Sequence, residues 1–443
     1  MKSWRRKRTL NGTAVPPLPV IAGRRDLGPI LRLKSALTTT MPMEAALCAY
    51  DRIMGTNSQG SRWKRLRSLD EAALAEASDR IEIFERGITV HAAAPRILGP
   101  GSAEDVSGVS RSVFLAAFDS ARVRHRSSFV ELEDSMLLDY QADEFSPADV
   151  YLAWDTAVFA HEDDQVMVLG TEGQPVIEVP EALKLLGSTS YSFGHWLVEY
   201  MTQWGTVSDR NELEGIPILI DQGMAPTHRE ALEYFLPRPS EIIEVPVDTS
   251  VVARRIWVAS NWVYAPLFPT SEEAIHARHL IARPEQANVL RKLGARVDRD
   301  MEAWRGPTRV YFGRRAGLHR RMINSEQIEG VVRRAGFQVI YPEDLSFCDQ
   351  VRMVRGATHI MGPEGSAMLL SHFARPATKT CWLDHPFIER VTPITAVLGE
   401  LGIETVFVTG PCVNRSEPYL RFSDYTIDEQ DVVEVIREWG LVT

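Results

Sequence analysis

The spacing of hydrophobic and polar positions changes twice along this chain, and the changes divide it. Residues 1–84 mix Gly, Pro, Thr and Ser with basic pairs. Their clearest helical pattern is SLDEAALAEASDRIEIF (68–84), where Ser68 with Glu71 three residues on reads as a capping box. Residues 85–185 carry short β-branched or aromatic runs separated by turn formers: ITVHA, SVFLAAF, SSFVELE, DVYLAW, TAVFA, QVMVLG and PVIEV. From Ser188 the period lengthens. In YSFGHWLVEYMTQW the residues Phe193, Trp196, Leu197 and Tyr200 share one side of a helix. IPILI, a helix after Pro226, EIIEV, RIWVAS and a helical run over 271–293 follow.

The alternation is cleaner in the last third. Strands are predicted at 310–313, 337–341, 359–362, 380–384 and 405–409, with helices near 325–335, 346–356, 366–373, 388–401 and 427–439. Strand–helix repeats make a doubly wound parallel sheet that binds ligands beyond the carboxyl ends of its strands. The expected organisation is an N-terminal extension (1–84), an acceptor-side domain (85–300) with a β-rich start, and a ligand-binding domain (301–443). The last helix is expected to be able to pack back on the middle domain.

Composition narrows the function. The chain has 443 residues, 44% hydrophobic and 24% charged, with a net charge of −10, so a general nucleic-acid binder is disfavoured. The four cysteines, 48, 348, 381 and 412, form no CxxC pair, which points to neither zinc nor a disulfide framework and suits a reducing compartment. No apolar run approaches the roughly 18 residues of a membrane span. The start, MKSWRRKRTL, does not lead into an apolar signal core. Its five basic residues suit either a solvated tail or contact with anionic lipid heads. A cytoplasmic protein is expected, with peripheral contact at the inner membrane face left open.

Against that acidic background RGPTRVYFGRRAGLHRR (305–321) is distinctive: six arginines, one histidine and no acid. The strand aims Arg314 and Arg315 off its carboxyl end, with Arg321 close behind. Guanidinium forks match phosphate oxygens, and a departing diphosphate needs that neutralisation. Arginines paired with surface acids are the simpler alternative. Downstream, Asn324 is a natural N-cap and Glu326 suits the first turn of its helix; Ser346 can cap the helix that carries Gln350. Next, the loop GPEGS, with Gly362, Glu364, Gly365 and Ser366, joins a strand to a helix start, an arrangement that binds anions. Glu364 would repel a phosphate there and suits instead a sugar or ribose hydroxyl, or an arginine partner. In the first half His195 and Glu199 lie four apart on one helix, so the acid can orient the ring as a general base. A buried structural histidine between Phe193 and Trp196 is the alternative.

Together these segments resemble glycosyltransferase family 61. The resemblance rests on FGRRAGLHRRMINSEQIE, YPEDLSFCDQV and IMGPEGSAMLLSHFARP, and on YSFGHWLVEYMTQW in the first half. It implies a GT-B-like fold of two Rossmann-like domains facing a cleft, and an inverting transfer that needs no metal or other cofactor. It also implies a nucleotide-sugar donor, a UDP-sugar for choice, held by the C-terminal half, and a glycan acceptor. Arg314, Asn324, Glu326, Ser346, Gln350, Gly362 and Gly365 stand on family motif positions, and His195 becomes the candidate base with Glu199 as its partner. In two places this sequence departs from the pattern: Ser325 follows the asparagine where an acid is common, and Glu364 replaces the loop histidine. A role in capsule or surface polysaccharide synthesis is the leading expectation. The alternative is a non-catalytic nucleotide- or glycan-binding member of such a complex. A nucleotide-sugar-modifying enzyme such as an epimerase is disfavoured by the missing GxGxxG fingerprint.

Overall fold

The strands expected in the last third form one sheet. In spatial order they are Gln338–Ile340, Arg309–Phe312, His359–Pro363, Lys379–Asp384, Glu404–Thr409 and, at the far edge, Arg96–Leu98, and every pairing is parallel. The computed structural model describes residues 27–54, 57, 59–76, 81–140, 152, 155–236, 240–263, 280–298, 306–315, 320–386, 391–414 and 423–441. Counted along the last third, the strand order is 2-1-3-4-5, so the switch point falls between Arg309–Phe312 and His359–Pro363.

Both faces of this sheet are covered, which is why its strands read as apolar runs. Helices Ser325–Arg334 and Glu429–Glu438 close one face through Ile328, Val331, Val332, Val432, Val435 and Ile436. Helices Phe347–Gly356 and Val391–Glu400, with the 3-10 turn Met368–Phe373, close the other. The last helix packs within its own half; from the earlier chain, Arg96 pairs with its Glu438 and Glu434, and Leu98 packs against the cluster it shares.

The first half departs from a second Rossmann-like sheet. Its eleven-stranded sheet runs Ile242–Val245, Ile218–Asp221, Val176–Lys184, Ser250–Ala259, Val113–Arg124, Val130–Glu131, Ser135–Leu138, Arg62–Ser68, Gln165–Val168 and Val158–Glu162, with Ile81–Glu85 also on Val113–Arg124. The first four strands are mutually parallel. Val113–Arg124 then pairs antiparallel with Ser250–Ala259 along most of its length, and the parallel run ends there. The β-rich start and the α/β segment are thus one mixed sheet.

The two sheets share a core. Phe235 stacks on Phe373 at 5.7 Å, and Phe193 and Phe235 both meet the ring of Phe347 edge-on. Helix Glu285–Asp298 lies in the same cluster, and its Asp298 pairs with the buried Arg355. Residues Asn57–Thr443 form one compact unit and Met1–Thr56 another. The smaller unit holds helices Leu27–Thr40 and Met43–Met54, with Lys34 over the ring of Tyr50 at 5.7 Å.

Local expectations are corrected in three places. The helix expected over 68–84 is Leu69–Glu76, followed by the strand Ile81–Glu85. The Ser68 hydroxyl has two acceptors in reach, the Asp70 carboxylate and the Tyr140 carbonyl, and the Glu71 N–H donates to Asp70 Oδ1, so no capping box of Ser68 with Glu71 forms. The helix expected at 271–293 is Glu285–Asp298, and residues 264–279 lie outside the described residues. The same holds for the run DVYLAW, Leu152 excepted, and for the basic N-terminal residues. Among the described residues no helix is long and apolar enough to cross a membrane.

Candidate active site

At the switch point the strand Arg309–Phe312 delivers Arg314, and His359–Pro363 delivers the loop of Glu364, Gly365 and Ser366. Gly362 is required by closeness: a Cβ there would sit 2.7 Å from the carbonyl oxygen of Phe312. Gly365 adopts φ +153, open to glycine, and brings its Cα edge under the Arg314 guanidinium. Arg314 Nη1 donates to the Glu364 carbonyl at 3.2 Å. Arg320, itself at φ 54, pairs with the Glu364 carboxylate. The loop glutamate is therefore held by an arginine rather than left toward solvent.

Asp384, at the end of the neighbouring strand, completes a group of two guanidinium and two carboxyl groups. Burial pushes its carboxyl well above the usual range and Glu364 adds to that, while Arg320 and Arg314 pull the other way. Arg314 is lowered by burial and by the charge of Arg320, whereas Arg320 is raised chiefly by Glu364. Two guanidinium groups face this spot, and burial disfavours the charged form of the Asp384 carboxyl beside them, so the spot suits an anion.

The other arginines of the segment separate. Arg315 is exposed, lies over the ring of Tyr341 at 5.3 Å and pairs with Asp344. Arg321 pairs with Asp424, whose carboxyl it draws down to about 2. Arg309 donates to the Ala335 carbonyl at the end of helix Ser325–Arg334; Arg305 lies outside the described residues. Asn324 occupies the N-cap position, but its amide bonds the backbone of Ile427 in both directions (2.7 and 3.1 Å) and does not cap. Glu326 is exposed in the first turn. Ser346 does cap, accepting from Asp349 N at 3.2 Å. Gln350 is buried and donates to the carbonyls of Pro342 and Leu345, with its Oε1 sealed and unbonded. Asn324, Ser346 and Gln350 thus hold the fold around the loop.

The first half approaches the same loop. His195 ends a short α-turn, Phe193–His195, that runs into a π-helical turn, Trp196–Tyr200. Such turns are rare and frequent at functional sites. Trp196 and Tyr200 stack at 5.4 Å and are buried, which anchors the turn. Gly194, beside His195, faces the loop: a Cβ there would meet Ser366 Oγ at 3.0 Å and Leu369 Cδ1 at 2.9 Å. The two sets of candidate residues are therefore brought together.

Glu199 Oε1 lies 2.5 Å from His195 Nδ1, and its Oε2 accepts from Thr189 Oγ1 at 3.2 Å. A carboxylate on Nδ1 leaves Nε2 as the basic nitrogen. The His195 side chain is 19% exposed against 7% for Glu199, so the ring and not the acid reaches solvent. Behind Glu199 a cavity of about 50 Å³ is lined by Asp139, Asp155, Lys184, Gln203 and Asn261 among others, room for a few waters. Lys184 is buried there, donates to the Leu186 carbonyl at 2.7 Å, and burial lowers its ammonium to about 8. Arg320, Asp384, Thr189 and Lys184 were not singled out from sequence. For Arg320 the signal existed, since it belongs to the arginine-rich segment; for the rest, chain topology alone brings them in.

Residues 193–381 match the family model Glycosyltransferase 61. This stretch is a glycosyltransferase 61 domain. It begins on the turn that carries His195 and ends inside the strand that leads to Asp384. A glycosyltransferase domain acts on two substrates, a glycosyl donor and an acceptor. No curated protein matches the chain.

Proposed function

We propose that this protein is an inverting, metal-independent glycosyltransferase that moves a sugar from a nucleotide-sugar, a UDP-sugar for choice, to a glycan hydroxyl. The observation that carries this reading is the contact of Gly194 with Ser366, which sets the His195–Glu199 pair against the arginine-flanked loop at the switch point. In the reading, Arg314 and Arg320 neutralise the diphosphate as it leaves. His195 Nε2 takes the proton of the acceptor hydroxyl, and Glu199 stabilises the imidazolium that results. The hydroxyl oxygen bonds to the anomeric carbon from the face opposite the diphosphate, and the configuration inverts. In this plan the donor lies on the doubly wound half and the base on the mixed-sheet half, in place of the second Rossmann-like domain of a GT-B fold. The setting proposed is capsule or surface polysaccharide synthesis in the cytoplasm, with peripheral contact at the inner membrane face.

Glu364 favours a second reading, a binding protein without turnover, because its carboxylate occupies one of the two arginines. One experiment separates them. Melting of the purified protein is followed with UDP, GDP, CMP and their sugars, with and without EDTA. A nucleotide at about a hundred times its Kd stabilises by about 2.7 kcal/mol. The enzyme reading requires such a shift without metal, its loss in Arg314→Ala, and release of free nucleotide from the sugar form. A shift without release supports the second reading; no shift with any nucleotide refutes the donor site.

A further inference from the structure

Among the described residues five arginines are buried: Arg111, Arg124, Arg126, Arg283 and Arg355. Four hold a carboxylate: Asp139, Glu131, Glu85 with Glu285, and Asp298 respectively. Arg126 is the exception. It is 8% exposed, its Nε is sealed from solvent, and its guanidinium donates to no described residue. A buried charge ordinarily has a partner, and one without it costs stability unless a ligand supplies the counter-charge.

The side chain is nonetheless held in place. Arg126 adopts φ 51, and its backbone N–H donates to Asp221 Oδ1 at 2.5 Å. Its guanidinium lies 5.1 Å from the ring centre of Tyr191. A non-glycine residue in the left-handed region is strained, and such strain gathers at functional sites. The other oxygen of Asp221 accepts from Ser190 Oγ at 2.6 Å and Gly187 N at 3.0 Å. One buried aspartate thus fixes both Arg126 and the turn that leads to Tyr191 and, four residues later, His195.

We propose that Arg126, backed by Tyr191, binds an anionic group of the acceptor, a carboxylate or a phosphate. The inference rests on the transferase reading above and adds the class of acceptor. Arg126 follows a strand of the mixed sheet, the half that carries the base, whereas the arginines assigned to the donor follow a strand of the doubly wound sheet, so its anion is assigned to the acceptor. A guanidinium steadied on a ring keeps its N–H edge for a planar or tetrahedral oxyanion, a geometry that lysine does not reproduce. The anion is either a uronic acid within the glycan or a phosphate at its reducing end.

Calorimetry on the full chain tests this with three probes: a glucuronyl disaccharide, its neutral glucosyl counterpart and glucose 1-phosphate. One anionic probe is expected to bind at least about tenfold tighter than the neutral one, and which of the two does so names the source. Arg126→Gln is expected to abolish that preference and Arg126→Lys to restore only part of it, with UDP binding unchanged in both. Equal binding of all three probes to the wild type, binding of none, or a preference that survives Arg126→Gln in folded protein overturns the proposal. Failure of UDP, GDP and CMP alike to bind the wild type would instead overturn the donor-site reading, and the two failures are read separately.

Discussion

Replacing Glu364 with glutamine removes one unit of negative charge and little else, so its consequences can be worked from the group around it. In the unliganded protein the carboxylate pairs with Arg320, whose side chain is 29% exposed, and itself is 20% exposed. Removing one partner of a fully buried pair costs about 3–5 kcal/mol. Here the pair is partly hydrated and Asp384 remains beside both arginines, so about 1–3 kcal/mol is expected, a fall of a few degrees in Tm. The sign reverses for a bound diphosphate. A unit charge at about 4–6 Å in a medium of effective dielectric near 20 is worth roughly 3–4 kcal/mol before solvent and rearrangement offset it. A net gain of about 1–2 kcal/mol for UDP, or roughly five- to thirtyfold in Kd, should remain. The assay is calorimetric titration of UDP into wild type and Glu364→Gln, with thermal melts of both unliganded forms. Glu364→His, the residue usual in the family, should behave likewise. Weaker UDP binding in Glu364→Gln would refute the reasoning and show that the carboxylate accepts hydroxyls of the nucleotide.

Three further outcomes are expected. His195→Ala should lower kcat by about 10²–10⁴ with UDP affinity intact, measured as nucleotide release; a simultaneous loss of UDP binding would make the residue structural. In Gly187→Ala the added Cβ would stand 1.9 Å from the hydroxyl of Tyr200, which shares Thr189 with Glu199. Overpacking of this kind costs about 1–3 kcal/mol, so urea unfolding should show that loss and kcat should fall with it; an unchanged midpoint would refute it. Burial lowers the imidazole of His372 to about 4 while its Nδ1 bonds the Leu369 carbonyl at 2.8 Å. Between pH 6.5 and 4 the unfolded chain binds a proton there that the folded chain refuses, so stability falls as pH drops through that window, by up to about 3 kcal/mol. His372→Gln should lack this component of the acid loss, and identical pH profiles would count against it.

The doubly wound sheet was legible because strands buried on both faces carry continuous apolar runs. Arg309–Phe312 and Lys379–Asp384 fall within one residue of where they were expected. The arginine-rich segment was legible as charge but not as partners. Which guanidinium meets Glu364, Asp344 or Asp424 depends on residues 29 to 103 positions away. The π turn at Trp196–Tyr200 has the same apolar spacing as a regular helix, and its wider winding follows from packing. Thr189, Arg126 and Lys184 carry no local pattern at all. They acquire meaning from the mixed sheet, whose long antiparallel pairing of Val113–Arg124 with Ser250–Ala259 joins segments more than a hundred residues apart.

The strand Arg96–Leu98 also bears on how the chain is made. It leaves the ribosome early, yet its partner, Glu404–Thr409, lies about 310 residues downstream. At about 5–20 residues per second it waits roughly 15–60 s for that partner. During this interval the strands from Arg309–Phe312 to Lys379–Asp384 can pair with one another, but the Arg96–Leu98 edge stays without its partner. A truncated chain that starts near residue 300 would keep all the donor-side residues named above and still leave Glu404–Thr409 as an open edge, ready to pair with another copy. The doubly wound half is therefore expected to aggregate when expressed alone and to stay in solution when residues 57–100 accompany it.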